Sequence, residues 1–200
     1  CSTLKQRAIE LGVNSETIHL LPNGLDLPEW KMWSKSEARE RFSLNDSQYV
    51  IGYIGSLFPK DLALMKQAFS RILAKNPNVH LLHLGSSNYD LRDSEIDPKT
   101  VTVTGRISEE ELQQGLTACD LCLLPMSDIP ANHGRSPLKF TNYLAAGKPI
   151  VMTNVGDLPE MIQRTQAGIV TDSTAEALAQ GVLSLSDKPN LCATMGLNAK

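Results

Sequence analysis

Arg135, Lys139 and Asn142 fall within eight residues of one another in "GRSPLKFTNYLAAGKPIV", and their types and spacing could do chemistry. Ser136 is a good N-cap and Pro137 suits a first helical position, so the spacing predicts a helix opening at Ser136. On that helix Phe140, Tyr143, Leu144 and Gly147 share an apolar face. Lys139, Asn142 and Ala146 form a neighbouring stripe that Arg135 extends into the preceding loop. A helix N-terminus offers free N–H groups and a partial positive charge. Two cations beside it suit a diphosphate, and the amide suits a sugar hydroxyl. An exposed helix face with ordinary basic residues is the alternative reading. Two further loops carry candidates. In "GSLFPKD", Gly55 allows close backbone approach and Lys60 can reach an anion, or is simply solvated. In "GRISEEE", Arg106 and Ile107 follow a glycine and precede a helix start, which alone is a weak signal.

The elements that must position these loops alternate strictly. Strand patterns are "TIHLLP", "YVIGYIG", "VHLLHLG", "TVTVTG", "DLCLLP", "KPIVMTN" and "AGIVT". Helical patterns between and around them are "STLKQRAIELG", "SKSEARERF", "DLALMKQAFSRILAKN", "SEEELQQGLTAC", "SPLKFTNYLAAG", "DLPEMIQR", "TAEALAQGVLSL" and "LCATMGLNAK". Strands apolar on both faces, alternating with amphipathic helices, predict an α/β, doubly wound, Rossmann-like parallel sheet with helices on both faces. Ser108 with Glu111 makes a capping box, and Ser36 with Arg39 and Glu40 a weaker signal of the same kind. In such sheets ligands sit beyond the carboxyl ends of the strands, where all three loops fall. The small residues Ala145, Ala146 and Gly147 predict a last helical turn thin enough to pack closely on the sheet. The first and last helical patterns run to the chain ends without a natural start or stop. Residues 1–200 are therefore expected to be a single domain, a fragment of a longer two-domain protein.

Composition narrows the classes of function. Apolar residues make up 42% and charged residues 20%, and the formal charge is -3 with lysine and arginine scattered. That leaves no electrostatic footprint for nucleic acid. No apolar run approaches the roughly 20 residues of a membrane helix, and no signal-peptide order opens the chain, so a cytoplasmic setting is expected. Cys119 and Cys122 form a C-x-x-C inside a strand pattern with no second pair, which predicts core cysteines and no metal site. His80 and His83 flank a buried strand and read as core or edge residues. His133 stands in the long loop beside Gly134, within reach of a ligand or of a neighbour. Trp30 and Trp33 are expected at a seam with a further domain.

The order "IHLLPNGLD", "VIGYIGSLFPKD", "VHLLHLG", "VTVTGRISEEELQQGLTACDLCLLP", "SPLKFTNYLAAGKPIVMTNVGDLPEMI" and "AGIVT" closely resembles the C-terminal, donor-binding half of GT-B retaining glycosyltransferases. These form the large group that builds bacterial polysaccharides and glycolipids. Its most telling pieces are Pro22-Asn23-Gly24 followed by Asp26, and Lys139 with "YLAAGKPIV". The resemblance implies a nucleotide-diphosphate sugar as donor substrate, no cofactor or metal, and an acceptor held by an N-terminal domain not present here. Peripheral membrane contact would come through that missing half. It further implies that the loop from Gly55 to Lys60 contacts the diphosphate and that Arg106 and Ile107 lie against the base. The turn from Gly134 through Arg135 and Ser136 to Leu138 would offer N–H groups to the phosphate. An acidic residue one turn into the next helix usually holds the ribose. The family's two glutamates, eight positions apart, correspond to Gly134 and Asn142. Its arginine after the first glycine is Ser56, and its glycine after the lysine is Asp61. The resemblance therefore assigns no catalytic residue. A noncatalytic nucleotide-binding or scaffold module, and a nucleotide-sugar epimerase, are the alternatives to sugar transfer.

Overall fold

The computed structural model describes residues 1–24, 30–31, 33–86, 89, 91 and 96–200. Six strands form one parallel sheet: β1 (Tyr49–Ile54), β2 (Val79–Leu84), β3 (Val101–Val103), β4 (Leu121–Leu124), β5 (Ile150–Thr153) and β6 (Gly168–Thr171). Their order is β3-β2-β1-β4-β5-β6, the doubly wound arrangement whose direction reverses between β1 and β4. The interior strands are buried on both faces, as the continuous apolar runs require.

Two hydrophobic layers flank the sheet. On one side α3 (Pro59–Lys75) and α8 (Ala175–Ser186) set Met65, Phe69, Ile72, Leu178 and Val182 against Ile51, Leu81 and Leu123. On the other side α2 (Lys35–Arg41), α4 (Glu109–Ala118), α6 (Lys139–Ala145) and α7 (Leu158–Thr165) cover Val50, Leu82, Cys122 and Met152. Cys119 and Cys122 are buried there as free thiols, and a Cβ on Gly52 would meet the Cys119 Sγ at 2.7 Å. Strand β1 thus needs glycine where the cysteines pack. The chain also carries α1 (Ser2–Glu10), a short α5 (Pro130–His133) and a closing α9 (Pro189–Ala199).

Several expectations change. "TIHLLP" is not a strand: Thr17 ends a 3-10 turn, and Ile18 to Pro22 have no regular structure, with Leu21 89% exposed. Among the described residues no strand pairs with its backbone. The cap of α2 is Ser34 with Glu37, a full capping box two residues before the expected Ser36, whereas Ser108 with Glu111 caps α4 as expected. The thin turn after α6 serves α9 as well as the sheet. Gly147 is left-handed (φ +61°), and a Cβ there would meet the Gly196 carbonyl at 3.1 Å. Trp30 packs against the core layer of α2 and α4. Asp26 lies outside the described residues.

Candidate functional site

The sheet's switch point is held open by one side chain. Beyond the Gly52–Cys122 pair, β1 and β4 no longer pair. The fully buried Tyr143 hydroxyl of α6 bridges the gap, accepting from the Ile54 N–H at 3.0 Å and donating to the Leu123 carbonyl at 3.4 Å. This fixes α6 over the crevice between the loops that follow β1 and β4.

The loop after β1 is pinned through its carbonyls. Gly55 is left-handed (φ +69°), its N–H donates to the Leu84 carbonyl at 2.7 Å, and its carbonyl accepts from His83 Nε2 at 2.7 Å. The Ser56 carbonyl accepts from the Tyr53 hydroxyl at 3.1 Å and from Lys139 Nζ at 3.3 Å. Lys139 Nζ also donates to the Tyr53 hydroxyl and lies 4.0 Å from the centre of its ring. Burial, with the Arg135 charge nearby and Asp61 opposing, pushes the Lys139 ammonium down to about 7. A cation so desolvated gains when an anion arrives.

Next to this loop, Gly55, Gly85, Arg106 and Ile107 help to line a cleft of about 220 Å³ at the carboxyl ends of β1 to β3. Arg106 is exposed and makes no ion pair among the described residues, and the same holds for Lys60. Gly85 and Gly105 are both left-handed and bridge each other, which brings the β2 and β3 loops together.

Arg135 is held from below. The Asp61 carboxylate, 2% exposed, accepts from the Ser127 N–H (2.8 Å), the Ser127 hydroxyl (2.6 Å) and Asn132 Nδ2 (2.9 Å) through Oδ1, and from Arg135 Nη1 (2.9 Å) through Oδ2. Arg135 Nη1 also donates to Asn132 Oδ1 at 2.6 Å, and the guanidinium stands 4.3 Å from the Phe58 ring centre. Phe58, Lys60, Ile129 and Arg135 share a second cavity of about 310 Å³.

The structure gathers Gly55, Ser56, Lys60, Arg106, Ile107, Gly134, Arg135, Ser136, Leu138, Lys139 and Asn142 on the loops and helix start at this one edge. Ser136 does not cap: α6 begins at Lys139 after Leu138. The Ser136 carbonyl and hydroxyl instead accept from Asn23 Nδ2 at 2.9 and 3.4 Å, and the Phe140 N–H closes a turn on the Pro137 carbonyl. Gly134 offers no side chain, and a Cβ there would meet Leu4 Cδ2 at 3.2 Å. Asn142 is half-buried, and its side-chain amide makes no hydrogen bond among the described residues. His133 pairs with Asp128 at 2.7 Å, and His80 is satisfied by Gln48 and Thr102. The positioning roles of Tyr53, Asp61, Asn132 and Tyr143 carry no motif. The only sequence signal was an acid, Asp61, one step after the loop lysine.

The family model described as "Glycosyl transferases group 1" matches residues 48–188. TuaH of Bacillus subtilis (strain 168), to which a teichuronic acid biosynthesis glycosyltransferase activity is attributed, is 29% identical over 158 residues, 76% of this chain and 38% of that protein. The D-inositol 3-phosphate glycosyltransferase of Segniliparus rotundus is 25% identical over 197 residues, covering 90% of this chain and 42% of its own length. Among solved structures, Anabaena HepE in complex with UDP superposes with a TM-score of 0.82 at 19% identity, over 98% of this chain and 55% of that one. The chain thus spans about two fifths of the curated relatives it matches and about half of that structure. The shared architecture is the Rossmann-like C-terminal half of a GT-B fold.

Proposed function

The chain belongs to the group 1 glycosyl transferases, and on that premise we propose that it is the donor-binding domain of an enzyme that moves a sugar from a nucleotide-diphosphate sugar to a saccharide or lipid-linked acceptor. The observation that carries this reading is that Lys60 and Arg135 line one cavity and Lys139 bonds the Ser56 carbonyl, all three on the segments that follow β1 and β4, beside a left-handed Gly55 turn with open space above it. Transfer breaks the bond between the anomeric carbon and a diphosphate oxygen. The electron pair stays on that oxygen, and the acceptor hydroxyl forms the new bond and loses its proton. Charge develops on the leaving diphosphate, so the groups that matter most are cations already in place. Lys139, Lys60 and Arg135 supply them without a metal. Gly55 and Ser56 let the diphosphate approach, and the turn from Gly134 to Leu138 lines its other side. The cleft at Arg106 and Ile107 takes the base, and Asn142 is the hydrogen-bonding group for the ribose. The acceptor is held by an N-terminal half, and the longer enzyme works in the cytoplasm at saccharide or lipid-linked substrates.

Gly134 and the neutral Asn142 favour one second reading, a noncatalytic module that binds nucleotide without transferring sugar. Calorimetric titration with UDP, GDP and ADP, without metal, tests the first step: one diphosphate binds selectively, and Lys139→Ala and Asn142→Ala both weaken it. No binding of any of the three counts against the donor site. Selective binding without product, once the chain is joined to its N-terminal half and given acceptor, selects the noncatalytic reading. An altered free sugar formed without acceptor would point to an epimerase.

A further inference from the structure

The buried Asp61 stands where the resembling family usually has glycine, and the structure gives it more partners than a helix-start acid needs. Its two oxygens accept four hydrogen bonds, three from Ser127 and Asn132 of the segment between β4 and α6 and one from Arg135. A carboxylate this deep is stable only when fully paired, and here the pairing organises one cation. Arg135 Nη1 is engaged by Asp61 and Asn132, and one face of its guanidinium lies over Phe58. Nε and Nη2 make no hydrogen bond to the described residues. A planar guanidinium held at one nitrogen by two acceptors and stacked on one face leaves the Nε–Nη2 edge open, which suits forked contact with phosphate oxygens. The side chain remains 25% exposed. It shares a cavity with the exposed Lys60, and its charge reaches Lys139.

We propose that Asp61 is a positioning residue that aims Arg135 at the diphosphate of the donor, so that the cation missing at Ser56 is supplied across the crevice and held there by a buried acid. The inference rests on the donor-binding reading above and adds a role for a residue that touches no ligand. Asp61 would not bind phosphate itself, since its charge repels it. It fixes the geometry of the group that does, and its partners Ser127 and Asn132 keep the acid from turning outward.

The test uses the 200-residue chain, the nucleoside diphosphate among UDP, GDP and ADP that binds it most tightly, and the matching nucleoside. Wild-type chain that binds none of the three diphosphates defeats the donor-binding reading before Asp61 is touched. Given binding, Asp61→Asn is expected to lower diphosphate affinity about tenfold and to leave nucleoside affinity unchanged. Combined with Arg135→Ala it is expected to lose no more than Arg135→Ala alone. Unchanged diphosphate affinity, equal losses for nucleoside and diphosphate, or losses that multiply in the double variant would each overturn the proposal. Should Asp61→Asn not fold, Arg135→Lys gives the decision. It keeps the charge but not the fork, so a loss as large as that of Arg135→Ala supports an aimed guanidinium, and retained affinity contradicts it.

Discussion

The two edges of the sheet carry similar charges and use them in opposite ways. At the amino edge Arg39, 3% exposed, donates to the carbonyls of Ala118, Asn45, Asp46 and Gln48 and to Asp120 at 2.8 Å. Lys148 caps the end of α4 through the Thr117 and Cys119 carbonyls, and Lys35 pairs with Asp120. Every one of these cations is engaged by the chain itself, around a cleft of about 350 Å³. At the carboxyl edge Lys60 and Arg106 are unpaired among the described residues, Arg135 is half engaged, and Lys139 is desolvated against a phenol and a carbonyl. The larger of these cavities is therefore the one whose cations the chain has already engaged. A cation that closes backbone carbonyls is structure, whereas a cation left short of partners beside left-handed glycines is available for a ligand.

The contrast predicts effects that separate stability from binding. The largest is Arg39→Met, which takes one partner from Asp120, still held by Lys35 and the Val50 N–H, and removes the side-chain donor of the Ala118, Asp46 and Gln48 carbonyls; it should cost about 3–5 kcal/mol in denaturant unfolding, without altering nucleotide affinity in the fraction that folds. Next, Lys139→Met should lose about 1.5–3 kcal/mol of diphosphate binding by calorimetry. Because the Tyr53 hydroxyl still reaches the Ser56 carbonyl, the same variant should be no less stable than the parent at pH 6.

A pH dependence follows from Lys139. Its folded pKa of about 7 lies below the ordinary lysine value near 10.4, so between those limits the unfolded chain binds the extra proton and the contribution to stability rises with pH. Bound diphosphate favours the ammonium, so affinity should fall from pH 7 to 9, by at most about tenfold per unit. Titrations in buffers of different ionisation enthalpy at pH 8 should show proton uptake. The smallest effect is Lys35→Ala: its half-exposed pair with Asp120 should contribute less than about 1 kcal/mol in thermal unfolding.

The sheet was legible because doubly apolar runs and amphipathic spacing are local signals, and six of seven strand patterns form strands. "TIHLLP" misled because a strand is defined by a partner, and none pairs with it among the described residues. Ser136 misled for a similar reason: its competitor as hydrogen-bond partner, Asn23, is 113 residues away. The loops of the candidate site follow from topology, since every carboxyl end faces one edge. What holds them does not, because Asp61 reaches Arg135 across 74 residues and Lys139 reaches Tyr53 across 86. Neither spacing means anything until the sheet sets β1 beside β4.

The most direct test is to map the footprint of UDP, GDP or ADP on the backbone amides of the isotopically labelled chain by nuclear magnetic resonance. The account predicts shifts confined to the carboxyl edge, at Gly55 to Lys60, Gly85 and Ser86, Arg106 and Ile107, and Gly134 to Asn142. Shifts centred instead on Lys35, Asp120, Lys148 and Cys192 would place the ligand in the amino-edge cleft and contradict it.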